Sequence, residues 1–216
     1  MSPPFDLIYA LLPGAWLTLQ LTLTAAALAL LLSFAAGLGK LAPLWPLRAV
    51  ASLYVEVFRG TSVLVQMFWF YFALPLFGIS LSAFVAGVLA LGLNLGAYGA
   101  EIVRGAILSI PKGQYEAAIA LNMSPVQRMY RIILPQALVL MLPSFGNLLI
   151  ELLKATALVS LITLPDLTFR ANGIRMTQGR TAEIFFILLL LYFVIAYPLT
   201  LMVRWLERRL SRYARL

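Results

Sequence analysis

Between Leu17 and Gly37 the chain carries no charged residue and few polar ones. A helix rises about 1.5 Å per residue, so roughly 20 such residues cross the hydrocarbon core of a bilayer. In lipid every backbone N–H and C=O must find its partner inside the chain, which leaves helices and closed barrels as the only spanning forms. A continuous apolar run of this length is a helix signal, and it sets the terms for the rest. The remainder agrees: 62% of the 216 residues are hydrophobic and 11% are charged. A soluble domain carries about 25% charged residues, because its surface must be wetted. The expected fold class is therefore all-α, integral to a membrane, with about five transmembrane helices in one domain.

The spans are expected at roughly 17–37, 62–81, 82–103, 134–154 and 184–203. The second begins just after Arg59 and Gly60, and the third is entered through the turn Gly78–Ile79–Ser80. Glu151 and Lys154 interrupt the fourth. A short apolar piece, Ala157 to Leu164, is too short to cross and reads as a bend or half-helix packed inside the protein. The first residues, Met1 to Pro13, carry Asp6 and no basic residue, so they lack the positive start of a cleavable signal peptide and are expected to stay in the mature chain.

Histidine and cysteine are both absent, which removes imidazole and thiolate metal sites, Ser–His–Asp or Cys–His catalysis and disulfides. No Walker-type phosphate loop is present. The chain is thus expected to carry no catalytic residue, metal or cofactor of its own. The net charge of +8 reads as the bias of membrane proteins toward Lys and Arg on the inner side, rather than as a nucleic-acid surface. With the N-terminus outside, the inner segments hold Lys40, Arg48, Arg59, Arg104, Lys112, Arg128, Arg131, Arg204, Arg208, Arg209, Arg212 and Arg215. The outer ones hold Lys154, Arg170, Arg175 and Arg180. Twelve of the 16 basic residues against four place the C-terminus in the cytoplasm, with Trp205 at headgroup level in the final anchor.

One inner segment, Arg104 to Pro135, is too long and too patterned for a connector. Pro111–Lys112–Gly113 starts a short helix of small residues. Asn122 suits the left-handed position that ends one, and Ser124–Pro125 opens another with Ser124 as N-cap. Ala117, Ala118 and Ala120 would let another surface approach closely. On spacing alone, an ordinary amphipathic loop fits as well.

The wording of that segment, EAAIALNMSPVQRMYRIILPQAL, resembles the EAA loop of permease subunits in binding-protein-dependent ABC importers. Glu116, Ala117 and Ala118 stand in the family's triplet, Ile132, Leu134 and Pro135 in its exit, and Asn122 replaces its usual glycine. The stretch from Glu56 to Pro75 is similar to the FRGTP–LVQ signature of the polar amino-acid branch (histidine, glutamine, arginine type), with Ser62 in place of proline. LNLGAYGAEIVRGAI and LPSFGNLLIELLKATALVSLI are similar to its third and fourth helices, with Lys154–Ala155–Thr156–Ala157 where the branch often has Lys-Asp-Thr-Ser. Within the branch, ALNMSP, ALVLMLP and IELLKATALVSLITLPDLTF look most similar to ectoine and hydroxyectoine permeases.

The resemblance implies a type I (MetI-like) permease architecture in a bacterial inner membrane. It implies a sister permease chain or second copy, a cytoplasmic ATPase dimer that binds the ATP and magnesium, and an extracytoplasmic solute-binding protein. The coupling residues would be Gly113, Glu116, Ala117, Ala118, Ala120 and Asn122, with Glu116 either anchoring the ATPase contact or only favouring the helix start.

Polar groups inside a membrane are expensive in lipid, so they are functional candidates by default. Asn94, Tyr98 and Glu101 share one helix face at i, i+4 and i+7, and Asn147, Glu151 and Lys154 share another at the same spacing. The two stripes are expected to meet in the middle of the bundle, with Asn94, Tyr98, Asn147 and Glu151 lining a solute path. Glu151 would take the cationic end of a zwitterion; an internal Glu151–Lys154 ion pair is the other reading. An ATP-independent secondary transporter and a membrane scaffold subunit are the rival functions. The first lacks a visible internal repeat; the second, with a membrane-bound enzyme beside it, predicts catalytic residues clustered at one interface, which the chain lacks.

Overall fold

The computed structural model describes residues 5–211; Arg212 and Arg215 of the inner basic set lie outside them. Among the described residues all regular structure is helical. By length and composition four apolar helices are long enough to cross a bilayer, or five spans when one bent pair is taken together.

Helix α1 runs Phe5–Gly39, starting well before the expected Leu17. At 1.5 Å per residue it reaches roughly 50 Å, more than the hydrocarbon core requires. Its first turns bury Leu7 and Leu11 against Leu167, Ala171, Ile184 and Leu188 of the outer helices described below. The second span differs most from expectation. Ser62–Leu81 is not one helix: α2 (Trp45–Gly60) is followed by α3 (Val63–Phe68), a π turn (Trp69–Ala73) and a 3-10 turn (Leu74–Phe77). The axes bend by 101° at the break. Arg48, Glu56 and Arg59 mask α2 in any hydropathy reading, yet its Ala51 and Val55 are buried with Ala36 and Ala100.

Gly78, at φ +84, closes the turn, and Ser82 caps α4 (Ala83–Leu108) by accepting from Val85 N–H. Helix α4 passes the expected end at Val103. Glu101 pairs with both Lys40 and Arg104, which compensates its charge so the helix continues. Two short helices follow, α5 (Lys112–Ala120) and α6 (Pro125–Arg128). A π turn (Met129–Ile133) then leads into α7 (Leu134–Ala155). The piece expected as a bend or half-helix is a 3-10 turn, Thr156–Ile162, whose Val159 and Ile162 sit in the central core with Leu21, Ala25, Ala90 and Leu91. Helix α8 (Leu167–Gln178) and the last span, α9 (Thr181–Ser211), complete the chain.

The principal seam joins α1 to α4 through glycine. A β-carbon at Gly92 would lie 2.9 Å from Leu28 Cγ, and one at Gly96 would lie 2.8 Å from both Leu32 Cβ and the Tyr54 hydroxyl. Glycine here lets two backbones approach, the usual device of helix pairs in membranes.

Asp166, between the fourth and fifth spans, is fully buried. It caps α8 by accepting from Phe169 N–H at 2.9 Å and Thr168 N–H at 3.2 Å. Burial pushes its carboxyl up to about 6 from 3.8, against the opposing pull of those N–H bonds. Between the two values the folded chain holds more proton than the unfolded one, so this group's contribution to stability falls as pH rises from about 4 to about 6. The difference between those two values is worth roughly 3 kcal/mol at most. Thermal melts of detergent-solubilised protein should show that fall, and Asp166→Asn should flatten it. An unchanged slope in the variant assigns the titration to another group.

Candidate functional site

The inner face carries the patterned segment. Asn122 sits at φ 53, the left-handed position expected of it. Met123 N–H reaches Ala118 O at 3.1 Å and Asn122 N–H reaches Ile119 O at 2.8 Å. Ser124 and Gln127 form a reciprocal capping box that fixes the next helix start. Tyr115 Oη donates to Ile107 O at 3.2 Å, tying α5 to the end of α4. Gly113, Glu116, Ala117, Ala120 and Asn122 all face outward. Ala118 does not: at 2% exposure it is packed on its own chain. It is the one residue of the expected docking set that is closed to an outside surface.

The expected meeting of two polar stripes inside the bundle does not occur. Helices α4 and α7 pack instead through Phe145, whose Cε1 lies 3.1 Å from where a β-carbon of Gly99 would stand, and which stacks on Phe34 at 6.0 Å. Asn94 is buried and its amide Nδ2 donates to Phe58 O at 2.7 Å, so it serves the break between α2 and α3. Gln66 Nε2 donates to the same carbonyl at 3.0 Å and to Thr61 Oγ1 at 2.7 Å. A broken helix leaves carbonyls without partners, and two amides supply the donors. Glu101 is occupied by Lys40 and Arg104.

Tyr98, Asn147, Glu151 and Lys154 are exposed on the surface of the single chain. Glu151 and Lys154 form no ion pair, and neither they nor Asn147 makes a side-chain hydrogen bond among the described residues. The internal-pair reading of Glu151 and Lys154 is thereby overturned: both side chains point outward from α7. A charge facing lipid at the bilayer centre costs about 2.5–3.5 kcal/mol on insertion scales. This face therefore meets water or another protein surface.

Asn147 also lines a cavity of about 220 Å³ with Pro143 and Ile150 of α7 and Thr200, Arg204 and Glu207 of α9. Sequence reading names Arg204 only as an inner cation and passes over Thr200 and Glu207, although the three repeat the i, i+4, i+7 spacing of the other stripes. Glu207 lies within the basic anchor that starts at Trp205, and the cations around it mask the one acidic residue of the three. A larger cavity, about 270 Å³, lies between α1, α4, α7 and α9, and its leucines (Leu30, Leu95, Leu149, Leu152, Leu206) offer nothing to recognise a polar solute.

Charge counting puts Arg59 with the inner segments; the structure sets it beside α4. It ends α2 one residue after Phe58, whose carbonyl is bonded to Asn94, and Asn94 lies near the midpoint of the span Ala83–Leu108. Its guanidinium stands 5.1 Å from the centroid of the Tyr98 ring.

Comparison with known proteins places this geometry. The family described as binding-protein-dependent transport system inner membrane component matches residues 29–212. A probable amino-acid ABC transporter permease protein of Sinorhizobium fredii is 50% identical over 206 residues, covering 93% of this chain and 87% of that protein. The glutamine transport system permease protein of Escherichia coli K12 is 38% identical, with 93% of each chain covered. In a crystal structure of an amino acid ABC transporter with histidines, a chain superposes with a TM-score of 0.88 at 38% identity, covering 97% of this chain and 100% of that one.

Proposed function

This chain belongs to the family of inner membrane components of binding-protein-dependent transport systems, and from that premise we propose that its outward polar face on α7 conducts a zwitterionic solute of the ectoine and hydroxyectoine type. It is a multi-pass permease subunit of an amino-acid ABC importer in the bacterial plasma membrane, not an enzyme, and ATP is hydrolysed by a separate subunit. The observation that carries the path reading is the exposed row Asn147, Glu151 and Lys154, without side-chain partners among the described residues, on a mostly apolar helix. Such a row is tolerable only against a water-filled lane or a facing chain. A sister permease, or a second copy, supplies the opposite wall. The exposed side of α5 docks on the ATPase dimer, and nucleotide-driven closure there tilts the helices around the lane.

Glu151→Gln tests the lane. In proteoliposomes holding the full importer, uptake should fall at least tenfold with normal expression, because the neutral amide attracts an ammonium or amidinium group far less. Normal uptake at normal expression would take the carboxylate out of the path. The ectoine assignment is supported by the local wording around Asn122, Pro143 and Lys154. It is tested on the partner binding protein, by calorimetric titration with ectoine, arginine, histidine and glutamate. Tight binding of an amino acid without ectoine would remove it.

A further inference from the structure

The backbone carrying Arg59 is clamped beside α4. Phe58 O accepts from Asn94 Nδ2 at 2.7 Å and Gln66 Nε2 at 3.0 Å, and Tyr54 Oη donates to Leu93 O at 2.7 Å one turn earlier. The guanidinium is thereby set over the Tyr98 ring, 5.1 Å from its centroid. Both side chains are exposed on the single chain. Among the described residues Arg59 pairs with no carboxylate: Glu101 on α4 is held by Lys40 and Arg104, and Glu56 on α2 forms no ion pair. A guanidinium seated on an aromatic face keeps its N–H edges free for a planar acceptor with two oxygens, such as a carboxylate.

We propose that Arg59, held at the break of the second span over Tyr98, is the group that receives the carboxylate of the solute as it passes through the permease. The depth selects this occupant. Beside the middle of α4 no lipid headgroup reaches the site, and the solute is the anion that must travel there. Asn94 and Gln66 are positioning residues: they hold the Phe58 carbonyl, and Gln66 also holds Thr61, rather than touching the solute. The assignment rests on the importer reading above, and it predicts that transported solutes share a carboxylate, whatever their cationic end.

The test uses the whole importer in proteoliposomes, with its ATPase and binding protein, and labelled L-arginine, L-glutamine, L-cystine and ectoine as probes. The readout is solute carried per ATP hydrolysed, which a smaller folded fraction leaves unchanged. For whichever probe the native importer carries, Arg59→Gln should lower that ratio at least tenfold. Arg59→Lys, which keeps the charge without the fork, should lower it two- to fivefold. A native ratio in Arg59→Gln overturns the proposal. Should Arg59→Gln fail to assemble, the Lys variant decides, and a native ratio there overturns the proposal and makes the site a contact with the sister chain. If the native importer carries none of the probes with ATP, the solute reading falls first, and that result is distinct from either variant's.

Discussion

Glu116→Lys combined with Ala117→Asp is expected to reduce ATP-driven uptake to background and to strip the ATPase from the purified permease. Both residues lie on the outward side of α5, whose only buried residue is Ala118, so the changes leave the chain's own packing alone. Surface substitutions of that kind usually shift stability by no more than about 0.5 kcal/mol. A docked surface responds differently. The small Ala117 side chain permits close approach, and an Asp there would be taken out of water against a partner with no counter-charge prepared. An unpaired charge in an interface costs about 2–5 kcal/mol, a factor of roughly 30 to several thousand in affinity. Reversing Glu116 also replaces attraction by repulsion toward any basic group it meets. Affinity co-purification and uptake measure the outcome. A double variant that still holds its ATPase and still transports would show that α5 is not the coupling handle.

The second large effect is on assembly of the bundle. Gly96→Leu should abolish recovery of folded protein, or lower its unfolding temperature in detergent by many degrees. A β-carbon there would already stand 2.8 Å from Leu32 Cβ, 2.8 Å from the Tyr54 hydroxyl and 3.3 Å from Ala29 O. Leu32 and Ala29 belong to α1, which cannot yield without opening the seam to α4. Tyr54 would lose its bond to Leu93 O, and with it the anchor of α2. Overpacking a tight core costs about 1–3 kcal/mol, more where backbone must move. Gly105→Leu, with nothing within 4 Å of its β-position, is the matched change on the same helix and should melt near the native temperature. Equal melting of the two variants would show that the α1–α4 contact is looser than the structure has it.

Much of the architecture was legible because its causes are local. Hydropathy located four of the crossings, since the energy of burying a helix in lipid adds up along the chain. Ser124 as N-cap and Asn122 at positive φ were readable for the same reason: capping chemistry involves only the neighbouring residues. The failures also have a common cause. The second span was placed too late because α2 mixes Arg48, Glu56 and Arg59 with a buried apolar face, and a window average cannot see a face. Arg59 was counted as a loop cation because nothing local reports the Asn94 and Gln66 amides that hold its backbone beside α4.

What the sequence determined by itself was the kind of protein: a bundle of lipid-facing helices without catalytic groups, with a patterned inner segment and polar residues grouped by helical face. Spacing decides which residues share a face, but not what that face meets. The tertiary structure alone decided that Asn94 turns inward to a carbonyl, that Ala118 is covered, and that Asn147, Glu151 and Lys154 look outward unpaired. Those outcomes depend on how helices distant in sequence are rotated against each other, and that rotation is set by close contacts such as Gly92 on Leu28 and Gly99 on Phe145, which no single segment encodes.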